Sequence, residues 1–300
     1  MSAAAPPLRQ LLDVPAPAKL NLFLHITGRR DDGYHLLQSV FMLVDWCDQL
    51  HFELRPDGVI QREDLTPSAQ LPVEDLCVRA ARALQQATGC PLGVRIGLEK
   101  RLPAEAGMGG GSSDAASTLL ALNRLWGLGL SRAKLANIGL QLGADVPFFI
   151  GGRNAWVEGV GERLTPVALP PARFLVVKPP GGASTQRIFG APTLKRDSET
   201  ATIRGFAAND SCDGALIDLQ KILAFGHNDL QPVAQALCPD VGHCIQWLAG
   251  HGLQGRMTGS GTAVFAHLPQ TVNLTDAPGD WTVRDCSNMD AHPLLDWCCD

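Results

Sequence analysis

Three short stretches of this 300-residue chain carry groups that could do chemistry: Lys19 with Asn21, a glycine loop at Gly107–Ser113, and Asp145. In the loop, Gly107, Gly109, Gly110 and Gly111 run into Ser112-Ser113-Asp114 and then straight into an apolar helical pattern. Glycine reaches backbone angles closed to other residues, so such a loop can turn its amides toward one point. The helix behind it leaves its first N–H groups unpaired and carries partial positive charge at that end. Loop and helix together make a cradle for phosphate, with Lys100 just upstream. The common nucleotide motifs are absent. No Gly-Lys pair exists for a P-loop, Ser112 stands where a dinucleotide fingerprint needs its last glycine, and no GxSxG elbow occurs.

Lys19 and Asn21 share one face of an alternating run, KLNLFLHI (Lys19–Ile26), with Phe23 and His25; Leu20, Leu22, Leu24 and Ile26 take the other. A lone lysine there is ordinarily an exposed strand end. Asparagine, however, is depleted in strands, so two polar groups on one face suggest the wall of a wet cavity. Asp145 lies between Gly143 and Pro147, which hold its backbone firmly, as a catalytic carboxylate needs; a simple turn former has the same surroundings. Tyr34, the only tyrosine, sits with His35 in a polar loop, Gly28–His35.

Around these groups the chain reads as α+β in two lobes. Ser39–Val44, His51–Leu54 and Val94–Leu98 read as strands, and Glu74–Thr88 as a helix stopped by Gly89. After the glycine loop, Ala115, Leu119, Leu122 and Trp126 form one helical stripe, and Ser131 can cap the next helix. Asp145-Val146-Pro147 then opens an expected strand, Phe148–Val157. Pro166–Pro171 is the candidate boundary, giving lobes 1–165 (with 1–12 a loose leader) and 166–300. Beyond it come a strand at Phe174–Val177, a polar, mobile insertion at Lys195–Asp213, helical pieces at Leu216–Leu223 and Asp229–Leu237, and a second glycine turn, Thr258–Thr262. A net charge of −5 argues against general affinity for nucleic acid or anionic membranes. No apolar run is long enough to span a bilayer, and nine scattered cysteines read as reduced thiols of a cytoplasmic protein rather than a disulfide or zinc framework.

In combination the segments resemble the GHMP kinase superfamily. Its three signature regions correspond to PAKLNLFLHI (Pro17–Ile26), LPAEAGMGGGSSDAA (Leu102–Ala116) and RMTGSGTAVF (Arg256–Phe265). The strings DDGYH (Asp31–His35), LGADVPFF (Leu142–Phe149), EGVGE (Glu158–Glu162) and Asn228-Asp229 are similar to the branch that phosphorylates a cytidine-diphosphate-linked methylerythritol in the non-mevalonate isoprenoid route. The resemblance implies a ribosomal-protein-S5-domain-2-like N-terminal lobe and a ferredoxin-like C-terminal lobe, with ATP and Mg²⁺ as cofactors. Small-molecule partners only are expected, and a monomer or weak homodimer, although the resemblance does not settle the oligomeric state. Asp145 would accept the proton of the C2 hydroxyl, and Lys19 would keep that carboxylate charged and orient the hydroxyl. Lys100, Pro103, Gly107, Gly109, Gly110, Gly111, Ser112 and Ser113 would hold ATP. Tyr34 and Phe189 would stack on cytosine, His35 would bond its edge, and Asn21, Thr185, Gly159 and Val160 would lie near the polar tail. Metal ligands are not implied. Two departures stand out: Asp75 where relatives commonly have Asn in the adenine pocket, and Met108 where Leu is common. The rival readings are a kinase of the same superfamily for another alcohol, such as homoserine or mevalonate, and a catalytically dead relative acting as a sensor; the latter would have lost Lys19 or Asp145.

Overall fold

The computed structural model describes residues 8–67, 71–208, 216–269 and 276–300. Its spine is a long hairpin: β1 (Gln10–Arg29) pairs antiparallel with β2 (His35–Arg55) over nearly its whole length. Three residues of the expected leader therefore belong to the fold, since Gln10 and Leu11 lie opposite Glu53 and Phe52 and extend the ladder. Residues 1–7 lie outside the described residues. β2 is shared along its length. Parallel partners β3 (Ile60–Asp64) and β4 (Gly93–Glu99) join its C-terminal half through β4, while β5 (Ala155–Glu158) and then β6 (Arg163–Pro166) join its N-terminal half.

Helices α1 (Leu76–Thr88), α2 (Gly110–Leu125), α3 (Arg132–Leu140) and α4 (Val146–Gly151) build the core on this sheet. Asp75 caps α1 by accepting from the Val78 amide at 3.0 Å, and Gly89 ends it in the left-handed conformation. Ser131 caps α3 in the expected way. The predicted strand Phe148–Val157 is not formed as one element. Its first half is helix α4, started by Pro147 in the first turn and closed by Gly152 at φ +69°. An apolar run this short has no periodicity that separates strand from buried helix, and only Ala155 onward is strand.

The second lobe is an antiparallel sheet of β7 (Arg173–Lys178), β8 (Arg256–Met257), β9 (Val264–His267) and β10 (Thr282–Ser287) in the order β10-β7-β9-β8. That is the ferredoxin-like strand order. The helices α5 (Thr185–Gly190), α6 (Leu219–Phe225), α7 (Gln231–Leu237) and α8 (Asp240–Gly250) lie between β7 and β8 in the chain. Leu20, Leu22 and Met42 of the hairpin pack with Phe174, Val176 and Phe265 of this sheet, so the lobes share a core. This explains why both faces of Lys19–Ile26 are buried rather than one. A register shift between Asn21 and Leu24 also interrupts the expected alternation.

Two expectations about the second lobe are corrected. The tail from Asn288 returns to the first lobe: the Met289 amide donates to Leu43, the His292 amide to Gly152, and Leu294 enters the first core. The stretch from Lys195 is not a mobile insertion where it is described. Ser198 is buried and its amide donates to Ile26, the Ala201 amide donates to Gln38 Oε1, and Phe206 is core; residues 209–213 lie outside the described residues.

Candidate active site

Two glycine turns meet backbone to backbone. Gly107 and Gly109 have φ near +71° and +73°. A Cβ on Gly107 would stand 2.2 Å from the Thr258 carbonyl oxygen, and one on Gly259 would stand 2.4 Å from the Gly107 carbonyl oxygen. Only glycine permits that approach. The Thr262 and Ala263 amides donate to the Glu105 and Ala106 carbonyls, which fastens the turns together. Both are also hung on β1: the Lys19 amide donates to Met108 at 3.0 Å, and the Asn21 amide to Thr258 Oγ1 at 2.9 Å. Gly109 is the N-cap of α2 and has no side chain to occupy the first N–H groups, so the positive end of the helix stays available to an anion.

β1 places Lys19 and Asn21 beside that cradle. Lys19, 3% exposed, places Nζ 3.6 Å from Asp145 Oδ2 and 4.6 Å from the centre of the Phe41 ring, and it also donates to Asn21 Oδ1. Burial lowers the lysine's pKa, and the neighbouring Asp145 carboxylate opposes that shift by favouring the ammonium. Asn21 Nδ2 donates to Ser39 Oγ at 3.0 Å, so the asparagine is held in orientation. Asp145 precedes α4 and makes no capping bond; its side chain, 30% exposed, is left to Lys19 and the cleft.

The cleft over these groups holds about 1260 Å³. Of the residues expected to form the site, Lys19, Asn21, Tyr34, His35, Lys100, Pro103, Gly107, Gly109, Gly110, Gly111, Ser112, Asp145, Val160, Thr185 and Phe189 line it. Ser113 and Gly159 do not: Ser113 is buried in α2, and Gly159, at φ +73°, forms the turn under Val160 and accepts from the Leu37 amide. At the end away from the glycine turns, the rings of His35 and Phe189 lie 5.1 Å apart, and Tyr34 is 63% exposed at the rim. Thr185 Oγ1 is 2.7 Å from Ser260 Oγ, so α5 is tied to the second glycine turn.

Comparison with known proteins places the chain in a family. Residues 75–153 match the model of the GHMP kinases N terminal domain, and residues 207–271 that of the GHMP kinases C terminal. The chain is 64% identical to the 4-diphosphocytidyl-2-C-methyl-D-erythritol kinase of Polaromonas sp. strain JS666, over 98% of this chain and 96% of that protein. It is 64% identical to the kinase of the same name from Delftia acidovorans, over 97% and 98%. The chain belongs to this kinase family. A crystal structure of 4-(cytidine 5'-diphospho)-2C-methyl-D-erythritol kinase superposes with a TM-score of 0.71 at 32% identity, covering 93% of this chain and 99% of that one. A homoserine kinase from Cytophaga hutchinsonii reaches 0.68 at 13% identity, over 97% and 98%, and shares the fold.

One charged group beside the cleft, Asp48, is not singled out by the sequence. Lys100 lines the cleft, but its ammonium is held by Asp48 and, at 2.7 Å, by Asp114 Oδ2. These two carboxylates raise the lysine's pKa despite its burial. Burial, with Asp48 close by, pushes the Asp114 carboxyl well above the carboxylate range. Asp48 Oδ1 also accepts from the Arg101 and Leu102 amides at 2.6 and 2.8 Å and so fixes where the glycine loop begins. An acid inside an apolar strand is the only signal Asp48 offers. Asp75 lines the cleft, yet its Oδ1 is already engaged by the Val78 amide and by Arg62 Nη1 at 3.0 Å.

Proposed function

We propose that this enzyme transfers the γ-phosphoryl group of ATP to the C2 hydroxyl of 4-(cytidine 5'-diphospho)-2-C-methyl-D-erythritol, giving the 2-phosphate and ADP, a step of the non-mevalonate route to isopentenyl diphosphate. One observation carries the reading: the Lys19–Asp145 pair, 3.6 Å apart, shares a cleft with an open helix N-terminus and an aromatic–imidazole wall. Asp145 accepts the hydroxyl proton as the oxygen attacks phosphorus, and Lys19 steadies that carboxylate and the incoming alkoxide. The loop Gly107–Ser113 and the N-terminus of α2 take the ATP phosphates; such positioning supplies most of the catalysis in phosphoryl transfer. Cytosine stacks between Tyr34 and Phe189 with His35 at its edge, and Asn21, Thr185 and the Gly159-Val160 turn face the polar tail.

Asp114 Oδ1 and Ser113 Oγ are buried without hydrogen-bond partners in the first turn of α2, and hard oxygens of this kind suit Mg²⁺. Asp114, which lines the cleft, would hold the ion once its carboxyl is ionised, and the bound ion would neutralise phosphate charge. Among the described residues no group of three or more His, Cys, Asp or Glu could hold a metal by itself, which fits an ion that takes most of its ligands from phosphate and water. The same reading has the enzyme in the cytoplasm as a monomer or weak homodimer, acting on two small molecules. No described helix is long and apolar enough to cross a membrane. An assay of ADP release with the cytidyl alcohol, homoserine and mevalonate offered separately tests the proposal. Turnover of the cytidyl compound alone is expected, and turnover of homoserine or mevalonate instead would overturn it.

A further inference from the structure

Arg196 lies in the stretch after α5, outside the signature regions, and the reaction as described gives it no part. Its Nε donates to His35 Nε2 at 3.0 Å. The rest of the guanidinium is spent on the chain around the end of α5: Nη1 donates to the Leu194 carbonyl at 2.9 Å, and Nη2 to those of Phe189 and Ala191 at 3.1 and 2.9 Å. One side chain from the second lobe thus grips the imidazole of the first lobe and the backbone of the aromatic residue facing it.

An arginine can only donate, so the imidazole nitrogen it meets must present a lone pair. A neutral histidine then carries its single proton on Nδ1. Burial, then the Arg196 and Arg29 charges, lower the pKa of His35 and keep the ring neutral. We infer that Arg196 is a positioning residue for base recognition: it fixes His35 as the Nδ1–H tautomer against the Phe189 wall, so that the ring offers the base a hydrogen-bond donor. This deepens the cytidyl reading above and rests on it. Cytosine presents N3 and O2 as bare acceptors, whereas uracil carries a proton on N3. A fixed donor placed at N3 therefore suits the first base and opposes the second, whose N3–H would meet it, while O2 accepts in both bases and does not discriminate.

The test compares wild type, Arg196→Met and Arg196→Lys. Histidine ring ¹⁵N shifts in the free enzyme at neutral pH report the tautomer, and competition by CDP and UDP reports base preference. Wild-type His35 should be protonated on Nδ1 and bare on Nε2, and Arg196→Met should mix the two tautomers. In that variant KM for the cytidyl substrate should rise about tenfold, with kcat and KM for ATP within about twofold and the preference for CDP over UDP reduced. Arg196→Lys keeps a donor for Nε2 without reaching three carbonyls, so it should retain the wild-type tautomer and much of the preference even if Arg196→Met folds poorly. A wild-type His35 protonated on Nε2, or an Arg196→Met enzyme with unchanged KM and CDP preference, would overturn the inference. Failure of the wild type to turn over the cytidyl substrate would instead bring down the functional reading, whatever the tautomer.

Discussion

The two ends of the cleft are built in opposite ways. The end proposed for phosphate is made of backbone: positive-φ glycines, turns packed carbonyl against glycine, and the open first turn of α2. The end proposed for the base is made of side chains from places far apart in the chain, with His35 from the start of β2, Phe189 from α5 and Arg196 beyond it. Phosphate is common to every kinase substrate pair, and a backbone cradle recognises it by charge and shape. A base must be told from other bases, which needs donors and acceptors at fixed places. The lobes also share a core, in which Leu20, Leu22 and Met42 pack with Phe174, Val176 and Phe265.

Variants should separate the two ends and the reacting centre between them. Asp145→Asn removes the proton acceptor and should lower kcat by at least about a hundredfold while ATP still binds; near-normal turnover would take Asp145 out of the mechanism. Gly107→Ala puts a methyl group 2.2 Å from the Thr258 carbonyl oxygen at a positive φ, so it must open the two glycine turns. Its KM for ATP should rise roughly tenfold or more with little change for the cytidyl substrate, since strain of this kind costs on the order of 1–3 kcal/mol. His35→Ala should show the mirror image, a KM for the cytidyl substrate raised about tenfold with KM for ATP unchanged. An equal rise in both constants for either variant would erase the distinction between the ends.

Smaller effects follow from titration. Lys19 loses its proton below the ordinary lysine value of 10.5, so the alkaline limb of kcat/KM should begin below that pH and disappear in Lys19→Met, whose residual rate is low. A control lies outside both ends. Burial, with Arg132 nearby, depresses the His292 pKa from 6.5 to about 3. The unfolded chain then takes up the proton first, so this contribution to stability is present above 6.5 and is lost as pH falls from 6.5 toward 3. His292→Asn keeps an acceptor for the Leu294 amide and should flatten the fall in Tm over that window without changing either KM.

How far the sequence could be read follows the same division. The glycine loop announces itself locally, less by its glycines, which are as often structural, than by the helix that starts at once behind them with Lys100 upstream. The hairpin strand was legible by alternation, yet its two-sided burial was not, since that depends on a second sheet arriving much later in the chain. Val146–Gly151 misled because a short apolar run carries no period. The place of Lys100 ahead of the loop suggests a nucleotide contact, whereas its capture by Asp48 and Asp114 is visible only in the fold. Arg196 was invisible for the same reason. Its partners are 161 positions away in one direction and on the preceding helix in the other.

The identity of the phosphorylated oxygen tests the account most directly. The carbon bearing the C2 hydroxyl also bears the methyl group and carries no hydrogen. In a proton-coupled ³¹P spectrum of wild-type enzyme with MgATP and the cytidyl alcohol, the new phosphomonoester should be an unsplit line that grows with ADP. A line split by neighbouring protons, or ADP formed with no new phosphomonoester, would contradict it.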